Sequence, residues 1–380
     1  TSDGQATFTK QFVINITDSN DAPTDISLGA QSINENKPAG SFIGQFSTTD
    51  PDAVNSFTYA LVSGVGATNN NSFYISNDSL FSAAVLNFEL QNTFSIRVSS
   101  TDNGGLSFQK VFTITVNDSN DAPTGITLSA TSVTENQQVG TVVATLNTID
   151  VDAGQTFTYA LVNGVGSTHN NLFSIQNGQL RTNTVFNFEN QQNYTVRIQT
   201  NDGNGGTFSD SFNIAILDAN DVPTNITLSN INVTENKPTG TLIGSFATTD
   251  EDVSNTFSYT LNNTGNNDNA SFLVIGNELR TNTTFNFEAK QLYVVNIQTN
   301  DGNGGVFSKQ FIISVIDSND APTDVMLSSN TISENLPANT FIGKLSTLDA
   351  DANATANVFT LVTGLGSNHN SSFVISNDSL

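Results

Sequence analysis

Asp118-Ser119-Asn120-Asp121-Ala122-Pro123 occurs four times with little change, beginning at Asp18, Asp118, Asp218 and Asp317. The spacing makes the chain an array of units about 100 residues long. Each copy sets three oxygen-bearing side chains (Asp118, Asn120 and Asp121 in the second) ahead of a proline, with no apolar residue able to bury them. Such a segment is a junction between folded bodies and not a core strand. Asp, Asn, Ser and Pro also build ordinary turns. Four copies in register, accompanied by acids at fixed offsets, ask for more than a turn.

On this period, residues 1–21 read as the end of an upstream repeat, 22–121, 122–221 and 222–320 as complete repeats, and 321–380 as the first part of another. The chain thus reads as an excerpt, in which Thr1 begins no signal peptide. Within the first complete repeat, short alternating runs predict strands at Ile26–Leu28, Ser41–Ser47, Phe57–Val62, Phe73–Ser76, Leu80–Ala83, Thr93–Ser99 and Leu106–Val116, separated by Gly-, Asn- and Asp-rich turns. About seven short strands per 100 residues, without a helical stretch, indicate an all-β protein of tandem Greek-key β-sandwiches. Residues 7–16 alternate in the same way and predict one more half-buried strand. The recurring Phe57 and Tyr59, Phe157 and Tyr159, and Phe257 and Tyr259 alternate with polar neighbours and read as core and not as a ligand platform.

The chain has 380 residues, 36% of them hydrophobic, with 27 Phe, enough for several small cores. Its net charge is −24 with only 11 Lys and Arg, which argues against nucleic acid or an anionic membrane as partner and for cations. There is no Cys, so neither disulfides nor thiolate metal sites contribute. No apolar run approaches the roughly 20 residues needed to cross a bilayer, so no membrane insertion is expected of this stretch.

Most of the 35 acidic residues stand at register-matched places near predicted strand ends. A Glu-Asn pair opens each unit at Glu35, Glu135, Glu235 and Glu334, and an Asn-Phe-Glu triplet ends at Glu89, Glu189 and Glu288. An Asp-x-Asp pair follows at Asp50 and Asp52, Asp150 and Asp152, Asp250 and Asp252, Asp349 and Asp351, and a further Asp sits at a Gly-rich turn at Asp102, Asp202 and Asp301. Solubilising charge would be spread over exposed faces. Two carboxylates about 5 Å apart repel by roughly 3 kcal/mol at an effective dielectric of about 20, so acids that converge need something positive among them. Carboxylate, amide and carbonyl oxygens, with no Cys and two His, suit calcium better than zinc or copper, and better than magnesium, which keeps its waters. The stretch from Asp150 begins like an EF-hand but has Gln155 where that loop requires Gly and Leu161 where it requires Glu.

Taken together, these motifs resemble the cadherin repeat and its interdomain calcium signature, and the resemblance spans the whole chain. It implies that Glu35, Glu89, Asp118, Asn120, Asp121, Asp150, Asp152 and Asp202 ligate calcium at one junction. The next junction would use Glu135, Glu189, Asp218, Asn220, Asp221, Asp250, Asp252 and Asp301. The last would use Glu235, Glu288, Asp317, Asn319, Asp320, Asp349 and Asp351, and the first Asp18, Asn20, Asp21, Asp50, Asp52 and Asp102. The resemblance implies two or three calcium ions per junction and an elongated rod. Two departures stand out. The acidic triplet opens with Asn87, Asn187 and Asn286 in place of Asp, and the linker is one residue shorter before its proline. With no Trp in the chain, tryptophan-exchange adhesion cannot operate here. The short linker, Asn and Thr richness and near-verbatim repeats look more like the cadherin-like arrays of large bacterial surface adhesins, some of which serve gliding or biofilm formation.

The function expected is a calcium-rigidified extracellular stalk at a cell surface that extends a distal adhesive tip, with surface proteins or glycans as partners of parts beyond this stretch. The alternative is direct homophilic or glycan recognition through the Asn- and Gly-rich loops at Asn69–Ser72, Ser167–Asn171 and Ser367–Ser371. Catalysis is not expected. His169 and His369 lie in equivalent loops, without a nucleophile turn, and the paired acids repeat at every junction as metal ligands would.

Overall fold

The computed structural model describes residues 1–53, 56–351 and 357–380. They form two compact units: residues 1–187 with 191–217, and 188–190 with 218–380. Each is described by itself.

The first unit holds two sandwiches. In the first, β1 (Asp25–Leu28), β3 (Phe42–Thr49), β6 (Ser79–Ser82) and β5 (Phe73–Ser76) form one sheet in the order β1-β3-β6-β5. The facing sheet runs β2 (Ser32–Asn34), β8 (Ser107–Asn117), β7 (Thr93–Thr101) and β4 (Thr58–Leu61). Alternation explains the pairing of the two sheets. Phe94, Ile96 and Val98 on β7 and Phe112, Ile114 and Val116 on β8 point inward onto Ile26, Leu28, Ile43, Phe46 and Leu80. Tyr59 stacks on Phe46 with ring centroids 5.2 Å apart, and its hydroxyl accepts a hydrogen bond from Thr48 at 2.9 Å. Tyr59 and Tyr259 pack on their cores, as the alternation indicated, whereas Phe57 and Phe257 are only partly buried and belong to neither core cluster.

The second sandwich repeats the plan at Gly125–Leu128, Ser132–Thr134, Val142–Ile149, Thr158–Leu161, Phe173–Gln176, Gln179–Thr182, Asn193–Asn201 and Thr207–Leu217 (β9 to β16). The second unit contains a third, at Asn225–Leu228, Asn232–Thr234, Leu242–Thr249, Ser258–Leu261, Phe272–Ile275, Glu278–Thr281, Leu292–Asn300 and Val306–Ile316 (β17 to β24). A two-stranded sheet of β25 (Asp324–Leu327) and β26 (Leu345–Leu348) follows.

Two sequence expectations need correction. Residues 7–16 form no strand: apart from an isolated bridge between Ser2 and Thr7, they are unpaired and exposed. A lone strand has neither ladder partners nor a face to bury, so alternation by itself cannot hold it. Each sandwich also has an eighth strand that the periodicity missed. β2 pairs in parallel with β8, Ile33 opposite Val116, and with one apolar residue in three it carries no periodic signal. Its position matters, because it ends directly before Glu35.

The close crossing of β1 and β3 requires Gly44. A Cβ there would fall 2.5 Å from the Ala30 carbonyl oxygen and 2.9 Å from Leu28, at a bulge where Ile43 and Gly44 both face inward. We expect Leu80→Ala, at a fully buried position, to cost the first sandwich about 2–5 kcal/mol. Val65→Ala, at a position 89% exposed, should stay within about 0.5 kcal/mol of the parent. Urea unfolding of both variants measures the difference.

Candidate metal centre

The junction between the first two sandwiches is built on Glu35. Its backbone N–H donates to the Asn117 carbonyl at 3.1 Å, which continues the β2–β8 pairing and places its side chain beneath the linker. There it is 2% exposed. Its Oε2 accepts the Phe88 N–H at 2.7 Å and its Oε1 the Ser119 N–H at 2.9 Å. One carboxylate thereby ties the Asn-Phe-Glu turn and the linker to the sandwich, and a backbone donor meets each of its buried oxygens.

Around it the acids converge. Carboxylate oxygens of Glu35, Glu89 and Asp118 lie within 4.8 Å of one another, as do those of Glu89, Asp121 and Asp152. Glu89 belongs to both groups, and Asp152 comes from the second sandwich. The linker is locked to that sandwich by the Asp121 N–H, which donates to Asp152 Oδ2 at 2.8 Å, while the Asp152 N–H donates to Asp150 Oδ1 at 3.0 Å. Asn120 Nδ2 donates to Asp202 Oδ2 at 2.9 Å and to the Asp121 carbonyl at 2.9 Å; its Oδ1 accepts from Gln155 Nε2 at 2.9 Å.

The electrostatics match this crowding. A hydrogen bond from its own backbone lowers the Glu89 carboxyl, but desolvation and the charges of Glu35 and Asp121 outweigh it and leave it above its ordinary value. Burial raises Asp121, and the charges of Glu35, Asp152 and Asp150 add to that against the Asn36 hydrogen bond. Asp202 moves the other way, because Asn120 and the N–H groups of its own turn hold its charge. It is 2% exposed and its Oδ1 accepts the Asn204 and Gly206 N–H groups at 2.7 and 3.0 Å. Gly206 is obligatory on steric grounds: a Cβ there would run into the Asp202 carboxylate and the backbone of Ala122.

Whether a cation fits can be judged from the oxygens left over. Asp150 Oδ2, Asp152 Oδ1 and Gln155 Oε1 are buried without a hydrogen-bond partner, as are Asp50 Oδ2 and Asp250 Oδ2 at the equivalent places. Orphaned buried acceptors of this kind are costly. A site made of carboxylate and amide oxygens alone, several of them unpaid by donors, fits a hard divalent cation such as calcium.

The second unit repeats the arrangement. Glu235, 1% exposed, accepts the Phe287 N–H at 2.7 Å and the Ser318 N–H at 2.9 Å. Oxygens of Glu235, Glu288 and Asp317 lie within 4.8 Å, as do those of Glu189, Asp218 and Asp252. Asp320 donates its N–H to Asp351 at 2.7 Å, and Asp351 its own to Asp349 at 3.1 Å. Asn319 Nδ2 is bonded to the Asp320 carbonyl at 2.7 Å. Burial raises the Asp317 carboxyl, and the charge of Asp351 raises it further. Asp221 likewise donates to Asp252 at 2.7 Å, and Asn220 to Asp301 at 2.9 Å. Glu135, in the first unit, is fully buried where its N–H meets the Leu217 carbonyl at 3.0 Å. Among the residues nearest the start, Asp21 donates to Asp52 at 2.8 Å and Asn20 to Asp102 at 3.1 Å, while Asp18 is exposed and lies outside the carboxylate groups just described.

Residues with unassigned roles in the sequence also take part. Asn36 and Asn236 adopt left-handed backbone (φ 60°) and reach with Nδ2 to Asp121 at 2.9 Å and Asp320 at 2.7 Å. The Glu-Asn pairing was visible, but its reason is this bend. Asn87 and Asn286 accept the N–H three residues on, at 2.6 Å in each case, so they cap the turn carrying Glu89 and Glu288. The Asn-rich loops are committed to their own backbone. Asn70 Nδ2 donates to the Val62 carbonyl at 3.0 Å and its Oδ1 accepts the Arg97 N–H at 3.0 Å, while His169 Nδ1 accepts the Thr195 N–H at 2.9 Å.

Residues 30–117 and 129–214 match the cadherin domain family. Human Protocadherin Fat 1 is 26% identical over 339 residues, covering 84% of this chain and 7% of that protein. The Drosophila melanogaster protocadherin-like wing polarity protein stan is 27% identical over 88% of this chain and 10% of its own length. Human Cadherin-12 is 25% identical over 90% of this chain and 47% of its own length. The chain therefore spans less than half of each of these relatives. Among solved structures, the Protocadherin GammaB4 extracellular domain shares the fold with a TM-score of 0.56 at 21% identity, over 89% of this chain and 58% of that one. Extracellular domains 22–24 of mouse Cadherin-23 do so with a TM-score of 0.54 at 19% identity, over 79% of this chain and all of that one. The fold, the junction motifs and these likenesses together make the chain a tandem array of cadherin-like repeats.

Proposed function

We propose that the chain is a calcium-rigidified segment of a large extracellular adhesin, divided at its linkers into repeats 22–121, 122–221 and 222–320 between partial repeats 1–21 and 321–380. The observation that carries this reading is the pair of carboxylate groups sharing Glu89, drawn from a sandwich, its linker and the next sandwich. Glu35, Glu89, Asp118, Asp121 and Asp152 would hold one side of the junction, and Asp150, Asp202 and the linker Asn120 the other. Bound calcium would supply the positive charge that lets these acids stay together, at two or three ions per junction. The residues' own part is to orient: Glu35 fixes the turn and the linker, Asp152 fixes the linker to the following sandwich, and Gly206 admits the close approach. Bending at the linker would separate ligands that belong to one group.

Extension from a cell surface follows from repetition, at on the order of 40 Å per sandwich by strand rise. The bacterial reading rests on the shortened linker, the Asn and Thr richness and the near-verbatim repeats, while the relatives named above are animal cadherins. Direct recognition through the Asn-rich loops is the second reading, since their side chains are spent on holding the loops themselves.

Small-angle scattering and a thermal melt, in calcium and then in chelator, test the proposal. We expect the maximum dimension and the melting temperature to fall together on chelation and to recover with calcium but not magnesium. Stabilisation should be about 2.7 kcal/mol per site at a hundredfold excess over Kd. No change in either quantity, or a calorimetric count of one ion or none per junction, would refute it.

A charge substitution separates repulsion from binding. Glu89→Gln should raise the melting temperature in chelator, because it removes repulsion, and lower it in calcium, because it removes a ligand. Glu35→Ala should lower it in both, because the N–H groups of Phe88 and Ser119 lose their acceptor, at about 1–3 kcal/mol.

The pH dependence has a definite sign. Glu89 and Asp121 are raised on folding, so the folded chain binds their protons more tightly and, without calcium, loses stability as pH rises through their ordinary values to the raised ones. Asp202 is lowered, and its contribution is lost only as pH falls through its depressed value. Melting temperature in chelator should therefore peak at weakly acidic pH, whereas in calcium it should fall steadily on acidification.

A further inference from the structure

The outer face of the β1-β3-β6-β5 sheet carries a feature that only the first complete repeat has among the three. Phe42 on β3 lies opposite Phe81 on β6, and Phe81 opposite Tyr74 on β5. The rings touch in sequence: Phe42 meets Phe81 edge-on with centroids 5.8 Å apart, and Tyr74 stacks on Phe81 at 5.3 Å. Phe42 is 58% exposed and Tyr74 43%, so this row faces solvent and owes nothing to the core. In the second sandwich the same register positions are Val142, Arg181 and Ser174, and in the third Leu242, Arg280 and Leu273. Both arginines there are tied down, to the Gly140 and Gly240 carbonyls at 2.9 and 2.8 Å. The fold therefore does not require aromatics at this place.

A polar row runs beside the aromatic one. Gln45 lies opposite Ser79, one side-chain repeat along the strands and so about 7 Å from the rings. Gln45 Nε2 donates to Asp78 Oδ2 at 2.6 Å and Ser79 Oγ to Asp78 Oδ1 at 3.0 Å. These bonds hold the Asp78 carboxyl below its ordinary value, so it stays ionised.

We propose that this face of repeat 22–121 is a binding platform for a neutral polysaccharide, with pyranose rings laid on Phe42 and Tyr74, which Phe81 holds in place between them, and their hydroxyls met by Gln45, Asp78 and Ser79. Aromatic rings offer an apolar face with electron density for the C–H side of a sugar. The planar Gln and Asp groups beside them offer donors and acceptors spaced for adjacent hydroxyls. Charge selects within that class: a fixed carboxylate at the rim, on a chain of net charge −24, repels uronate- or sialate-bearing glycans. Size argues against a second copy as occupant. Two exposed aromatics and the partly buried Phe81 between them supply at most on the order of 300 Å² of contact, against roughly 800 Å² per partner in a stable protein interface. The platform rests on register within one sandwich and stands independently of the calcium reading.

The test is affinity electrophoresis of the whole chain, in calcium, through gels containing β-1,4-glucan, β-1,3-glucan, mannan or polygalacturonate. Binding is compared with that of Phe81→Arg, which installs the residue that the sister repeats carry and so keeps the fold, as a thermal melt will verify. Retardation by at least one neutral polysaccharide, none by polygalacturonate, and a loss of about tenfold or more in Phe81→Arg support the proposal. Retardation by none of the neutral polysaccharides, or equal retardation of parent and variant, overturns it. So does sedimentation showing a dimer that Phe81→Arg abolishes, which would make the face an interface between copies. None of these outcomes depends on the response to chelator, so the two readings fail separately.

Discussion

A buried carboxylate is the constraint on which the junctions depend. Glu35 and Glu235 lie beneath the linker of their own repeat, each accepting one N–H from the Asn-Phe-Glu turn and one from the linker. Without those donors a buried carboxyl group in this position would be left with unsatisfied oxygens. With them, it holds two otherwise independent segments in fixed positions against the end of a sandwich. Glu89, Asp118 and Asp121 can converge because Glu35 has already oriented the backbone that carries them.

The convergence is paid for in repulsion. Glu89 and Asp121 bind their protons more tightly than isolated carboxyls, and buried oxygens of Asp150 and Asp152 lack donors. The sandwiches themselves need none of this, since their cores close through Ile and Phe contacts on both sheets. Repulsion collected at domain ends, while the domain cores are complete, is what a bound cation would relieve, and it supports the metal sites proposed there.

Much of this was legible in the residue order. The period came from the linker copies, the sandwich from alternation, and the gathering of acids at the junctions from their repetition at one register. What could not be read were contacts made by single residues. β2 is three residues long, so its parallel pairing with β8 had no period to announce it. The left-handed bend at Asn36 and the turn-capping oxygen of Asn87 depend on groups many residues away or on local dihedrals that Asn permits but does not dictate. Residues 7–16 erred in the opposite direction. They have the alternation of a strand and, within the described chain, nothing to pair with.

The aromatic row on the first repeat draws the same line. Phe42, Tyr74 and Phe81 are scattered among 27 phenylalanines and 6 tyrosines, and only strand register shows that they touch and that Arg takes the central place in the sister repeats. By itself the sequence determined the repeat period, the all-β class and which side chains recur near the junctions, because each of these follows from pattern and composition along one dimension. The tertiary structure alone decided which acids meet, which are buried and met by backbone donors, and which aromatics form one surface. Those outcomes depend on strand pairing, which brings together residues far apart in the chain.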